Sequence, residues 1–203
     1  MAAPLERRRA RHLTQPNPVG QDHRLAQPLL TELERSLQDI RESPREDGAI
    51  ALIVCRPEED GREVLVQGEL STSSGLIGDN WDTSGGAEPP DVTVQLTLMN
   101  SRAAEAVAGA RERWPLAGDQ LYVDFDLSGT HLPPGTRLKV GNAVIEVTDE
   151  PHRGCGKFAA RFGVDAMKFV NSPVGRELNL RGINTRVVVG GSVKVGDGIT
   201  KLV

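Results

Sequence analysis

Apolar residues recur at helical intervals in three stretches of the chain. Elsewhere they alternate or cluster in short runs. Leu29, Leu33, Leu37 and Ile40 fall on one helical face, with Thr31 and Glu34 spaced as a capping box and Ser43-Pro44 as a stop. Asn100 or Ser101 is placed to cap an Ala-rich helix that runs to about Arg113 and ends at Trp114-Pro115. Phe158, Phe162, Val164, Met167 and Val170 give residues 157–172 helical spacing, ended by Pro173. The remaining signals are strands. Ala49–Cys55 is a nearly continuous apolar run, which places Cys55 in a buried strand, and Arg62–Gln67 and Gln120–Phe125 read as further strands. Val92, Val94, Leu96 and Leu98 alternate as a half-buried strand does. Thr136–Val140 and Ala143–Thr148 flank the turn Gly141-Asn142, and Arg186–Val189 and Ser192–Val195 flank Gly190-Gly191 in the same way. Gly196-Asp197-Gly198 turns the chain into a last strand over 199–203. Residues 71–90 are too long and too polar for a hairpin loop, and loops of that kind often carry function.

Many short strands joined by Gly-rich turns, with few helices, indicate a mainly β fold, a barrel with short helical insertions and an N-terminal helix. Composition narrows the picture. The chain has 203 residues, room for one well-buried domain. With only 3% aromatic residues its core is built from Val, Leu, Ile and Ala. Residues 1–27 combine Arg, Gln and Pro without periodicity and read as a disordered basic tail, 28–47 as a helix and linker, and 48–203 as the barrel. Of a net charge of −4, the Arg-rich residues 1–24 carry +3, leaving the rest at −7. So acidic a domain with so few aromatics argues against a nucleic-acid partner. No apolar stretch approaches the ~18–20 residues of a membrane span, and no secretory h-region follows the basic start. Two cysteines a hundred positions apart suit a reducing compartment, and the cytoplasm is the expected location.

One of those cysteines carries the candidate chemistry. Cys155 lies in His152-Arg153-Gly154-Cys155-Gly156-Lys157, where strand gives way to helix. Neighbouring cations and free helix N–H groups favour the thiolate, the form that acts as nucleophile or soft-metal ligand. Flanking glycines admit a bulky ligand or a second backbone. The bland alternative is an inert buried thiol. Zinc would need four ligands, and His12, His23, His131 and Cys55 are scattered, leaving only His152 near Cys155. A Cys–His hydrolase would use His152 or His131 as base, without an evident third group. His131, beside Leu-Pro-Pro-Gly, reads as an exposed turn residue. A barrel that binds a small anion or a partner protein, with Cys155 incidental, is the non-catalytic reading.

The order of several short runs is more specific than any one of them: Gly-Leu-Ile-Gly-Asp-Asn-Trp at 75–81, Pro-Leu-Ala-Gly-Asp-Gln-Leu at 115–121, Leu-Pro-Pro-Gly-Thr-Arg-Leu-Lys-Val-Gly at 132–141, Ala-Val-Ile-Glu-Val-Thr at 143–148, Gly-Cys-Gly-Lys-Phe at 154–158, Arg-Gly-Ile-Asn-Thr-Arg-Val at 181–187 and Val-Lys-Val-Gly-Asp at 193–197. Over roughly residues 48–203 the chain resembles the MOSC domain, the family named for the C-terminal domain of molybdenum cofactor sulfurase, in its small stand-alone bacterial form. The resemblance implies a barrel-like fold that binds molybdenum cofactor or carries sulfur. Cys155 is then the metal ligand or sulfur carrier, and a cysteine desulfurase or a redox partner its counterpart. It also brings a family-level association with pyridoxal phosphate. Arg153, Lys157, Arg161, Arg181 and Arg186 become candidates for the pterin phosphate, His152, Trp81 and Asp124 further cofactor contacts, and Asp79 a catalytic acid at the pocket edge. The chain departs from the family pattern at Gly154, where Pro is common, at Trp81, where His is common, and at Asp124, which stands for an Asn.

Overall fold

The computed structural model describes residues 27–84 and 90–202. The basic tail expected over 1–27 lies outside them except for Gln27. Two short helices, α1 (Leu30–Arg35) and α2 (Leu37–Arg41), open the described chain. Eleven strands follow in order: β1 (Gly48–Cys55), β2 (Glu63–Leu65), β3 (Gln67–Ser71), β4 (Gly75–Leu76), β5 (Leu96–Asn100), β6 (Leu121–Asp124), β7 (Arg137–Val140), β8 (Ala143–Val147), β9 (Ile183–Val189), β10 (Gly191–Lys194) and β11 (Gly198–Lys201). The helices between them are α3 (Trp81–Ser84), α4 (Ser101–Ala108), α5 (Gly156–Phe162), α6 (Val164–Asn171) and α7 (Pro173–Glu177).

Seven strands close a barrel in the order β11, β7, β8, β9, β5, β6, β1 and back to β11, while β2 extends β1 outward. Only β5 and β6 run parallel, and α4 is the crossover between them. β10, β3 and β4 form a separate small sheet. The barrel interior is filled by Ile50, Ile53, Leu96, Leu98, Leu121, Val123, Phe125, Leu138, Ile145 and their neighbours. A second core lies between the outer barrel wall and the helices, joining Leu52, Val54, Met99 and Tyr122 to Leu33, Val107, Phe158, Phe162 and Phe169. β1 therefore has apolar groups on both faces, which explains its continuous apolar run. A register shift between Ile50 and Leu52 turns Ile50 and Ile53 inward and Leu52 and Val54 outward.

Several local expectations are corrected. The first helix breaks at Ser36, and its N-terminal bond comes from Glu32, whose carboxylate accepts from the Leu29 N–H at 2.9 Å, in place of the Thr31–Glu34 box. Val92–Val94 is a 3-10 turn, and the strand begins only at Leu96. α4 stops at Ala108 before Gly109, and residues 111–117 form a 3-10 segment. Gly163, at φ 97°, breaks the third helix into α5 and α6. Pro173 starts α7 under a Ser172 cap, because a proline at the first helical position has no donor to lose. Gly190-Gly191 does not close a hairpin, since β9 belongs to the barrel and β10 pairs with β3. His131 is buried at 7% exposure against Phe125, its Nδ1 2.8 Å from the Asp126 carbonyl. Among the described residues no helix is long and apolar enough to cross a membrane.

Candidate functional site

Cys155 ends the loop that leaves β8 and caps α5 in extended backbone geometry. The loop is clamped to α6 by one side chain: Asn171 Oδ1 accepts from the Gly154 N–H at 3.0 Å, and its Nδ2 donates to the Gly154 carbonyl at 2.9 Å. A Cβ on residue 154 would stand 2.9 Å from Val170 Cγ2, so glycine is required by the close approach of α6. A proline there would also lose the N–H that Asn171 holds. Gly156 faces open space. The two glycines thus serve different ends, one packing and one access.

The Cys155 thiol is exposed and its pKa is lowered, chiefly by the Phe158 backbone N–H. Partial burial opposes this, and the Lys157 N–H and the charge of Arg181 add to it. The cation that matters most is therefore Arg181, not the sequence neighbours. Lys157 is turned to Glu59 at 3.1 Å, and Arg153 is exposed without a hydrogen bond or ion pair among the described residues. Cys55 behaves oppositely, its thiol pushed from 9.0 up to about 11 by burial and then by Asp79 and Glu63.

Behind Cys155 lies a charged group of which sequence reasoning named Arg181 and His152 but missed Asp119. Arg181 Nη1 donates to Asp119 Oδ2 at 2.6 Å and Nη2 to the Ala117 carbonyl at 2.8 Å, with the guanidinium 5.1 Å from the Phe158 ring. Asp119 Oδ1 lies 3.5 Å from His152 Nδ1. His152 is pushed down to about 4, by burial first and then by Arg181, which outweigh the pull of Asp119. The imidazole is thus neutral at physiological pH. Asp119 supplies the third group that a Cys–His arrangement lacked in the sequence.

On the other flank of α5 a cleft of about 680 Å³ is lined by Arg56, Arg62, Lys157 and Arg161 together with the acidic Glu58, Glu59 and Asp60, and by Asn80 and Thr83. Arg161 Nη2 donates to Asp60 at 2.7 Å and Arg56 is held by Asp79. Arg62 donates only to the carbonyls of Pro115 and Gly61, without a carboxylate partner among the described residues. Burial and the nearby Arg161 and Arg56 charges push its pKa down. Arg56 and Arg62, which the sequence reading passed over, flank the acidic 58–60 loop and gave no motif signal.

A family model described as the MOSC domain matches residues 107–200, from within α4 to β11. Over these residues the chain matches the MOSC domain. Solved structures of similar fold include the YuaD protein from Bacillus subtilis (TM-score 0.52, 17% identity, 76% of this chain and 95% of that one). The YiiM proteins resemble it too: from Escherichia coli, TM-score 0.51, 17% identity, 76% of this chain and 70% of that one; from Geobacillus stearothermophilus, TM-score 0.53, 13% identity, 77% and 75%. No curated protein matches the chain.

The fold brings Cys155, His152 and Arg181 into one neighbourhood, with Lys157 and Arg161 on the adjoining cleft. It leaves two candidates elsewhere. Arg186 donates to Glu146 on the outer face of β8 and β9 (Nε at 3.0 Å). Asp124 is taken by Arg102 at 2.8 Å, which also reaches Asp39. Asp79 is not open at a pocket edge. Its side chain is 0% exposed and accepts from Arg56 N, Nε and Nη2, Trp81 N and Gln120 Nε2. Trp81 is 7% exposed and packs at the start of α3. Asp79 and Trp81 thus build the wall that holds Arg56. Among the described residues no three His, Cys, Asp or Glu side chains are grouped to hold a metal ion.

Proposed function

We propose that this MOSC domain binds molybdenum cofactor, with the Cys155 thiolate as ligand to the metal and the Arg62–Arg161–Lys157 cleft as the seat of the pterin phosphate. The observation that carries the reading is the contrast between two thiols of one chain. Cys155 is exposed and lowered in pKa, while Cys55 is buried and raised. A thiolate is the soft, strongly donating ligand that a thiophilic metal takes, so the donor chemistry fits the group. The cofactor, when bound, would supply redox chemistry at its metal. This chain's residues would hold the sulfur open, keep it ionised and exclude bulk from one side through the Asn171 clamp. Arg62 lacks a carboxylate, which fits an anionic partner. Carriage of a transferable sulfur on Cys155, received from a cysteine desulfurase, is the second reading. It is favoured by the thiol's exposure at the surface.

The deciding experiment is elemental analysis of protein freshly purified from a cofactor-producing host, beside Cys155→Ala. Molybdenum and pterin fluorescence in wild type, both lost in the variant, support the cofactor reading. If neither is present and intact mass shows one added sulfur on Cys155 after incubation with a desulfurase, the second reading replaces it. If Cys155 gains nothing in either assay, both readings fail and the barrel is a binding module.

A further inference from the structure

The loop after β8 and the segment between α7 and β9 enclose a small cavity of about 210 Å³, distinct from the cleft beside Arg62. Its wall includes Thr148, Asp149, Glu150, His152, Asn179 and Asn184. The backbone fixes which end of each polar side chain is left for a ligand. Asn184, 4% exposed, donates from Nδ2 to the Glu150 carbonyl at 3.0 Å, and Asn179 donates from Nδ2 to the Leu127 carbonyl at 2.8 Å. Each amide therefore has its oxygen to spare. Thr148 Oγ1 spends its proton on the Thr93 carbonyl at 2.7 Å, leaving lone pairs. His152 Nδ1 faces Asp119, 3.5 Å away. A carboxylate opposite that nitrogen requires the N–H there, so Nε2 is an acceptor. Asp149 and Glu150 are exposed and have no ion pair among the described residues.

The floor points the same way. Asp119 is 0% exposed, and its Oδ1 faces His152 Nδ1 at 3.5 Å without completing a hydrogen bond. That oxygen lies beside Gly182, another wall residue, 3.3 Å from where a Cβ would stand. A buried carboxylate oxygen held short of a full hydrogen bond is unfavourable by about 1–3 kcal/mol, and here it underlies a wall with spare amide and hydroxyl oxygens.

We propose that this cavity binds a small organic cation bearing several N–H groups, of the guanidinium or alkylammonium class. The paired carboxylates at the rim attract the charge. The amide oxygens of Asn179 and Asn184 and Nε2 of His152 orient its N–H groups. The site stands on its own acceptors and does not require Cys155 to hold anything.

The test is a titration of the ¹⁵N-labelled full chain with methylguanidinium chloride, with sodium chloride at matched concentration as reference. Saturable shifts are expected at the Asn179 and Asn184 side-chain amides and at His152, with the imidazole in its Nδ1–H form. Asn184→Leu should weaken binding about tenfold, the loss of one charge-assisted hydrogen bond. Should that buried variant fail to fold, the surface pair Asp149→Asn with Glu150→Gln is expected to weaken it comparably. Cys155→Ala should bind as wild type does, so failure here and failure of the cofactor reading are separate results. Shifts no larger than those from sodium chloride, an Nε2–H imidazole, or binding indifferent to the rim carboxylates would each overturn the proposal.

Discussion

Two side chains, the half-buried His152 and the buried Cys55, illustrate how position within the fold sets charge. His152 is held neutral down to about 4 against an ordinary 6.5. Below 6.5 the unfolded chain takes up a proton that the folded imidazole refuses. Stability from this group is therefore full above pH 6.5 and lost as pH falls toward 4, up to about 3 kcal/mol. Urea midpoints measured from pH 7 to 4 should fall less steeply for His152→Gln than for wild type. Cys55 works in the alkaline direction. Its folded proton is kept to about 11 while the unfolded thiol ionises near 9.0, so stability declines across that interval. The same contrast predicts alkylation. Iodoacetamide at neutral pH should label Cys155 within minutes and leave Cys55 untouched until denaturant is added, as peptide mass mapping would show. Asp79 belongs to the same scale. Asp79→Ala strands the Arg56 guanidinium and should lower stability by about 3 kcal/mol or more in protein without any cofactor, measured by urea unfolding.

At the level of elements, one side chain joins three of them. Asn100 caps α4 by accepting from Arg102 N at 2.9 Å and Ala103 N at 3.0 Å. Its Nδ2 donates to Ser43 Oγ, just past α2, and to the Phe125 carbonyl, just past β6, each at 2.8 Å. Asn100→Ala should cost about 2–3 kcal/mol, a lost cap plus orphaned buried partners. Asn100→Asp keeps the cap but loses the two donations, and thermal melting should place it between the two. The cap was legible in the sequence because an Asn ahead of Arg-Ala-Ala has a local partner. The boundaries that went astray depended on distant partners. Val92 and Val94 alternate as strand residues do, yet only Leu96 onward finds β9 and β6 to pair with. Gly190-Gly191 has hairpin chemistry, but β10 finds a better edge on β3, across about 120 residues of chain.

In the whole molecule the barrel is closed by the two ends of the β domain. β1 meets β11 over only two residue pairs, Gly48–Ile199 and Ala49–Gly198. The seam admits no side chain at Gly48, where a Cβ would stand 2.4 Å from Phe125 Cδ2 and 2.7 Å from the Asp124 carbonyl. Gly48→Ala should therefore destabilise the protein by about 2 kcal/mol or more, and hydrogen exchange should rise first along β1 and β11. Closure also decides the site. The Cys155 loop, the Asp119 turn before β6 and Arg181 before β9 come from sequence positions more than twenty residues apart. The adjacent strands β8 and β9, and β6 one strand beyond β5, deliver them to one place.

The sequence by itself determined the mainly β class, most strands, the Asn100 cap and the Cys155 junction. Those rest on spacing of apolar residues, turn chemistry and short-range caps, which act within a few residues. Only the tertiary structure decided that the charge of Arg181 and not of Arg153 lowers the thiol's pKa, that Asp79 is buried under Arg56, and that Arg186 and Asp124 lie elsewhere. Charge has no periodicity along a chain. What a charged group does is set by burial and by partners across the fold, and those exist only once the barrel has closed.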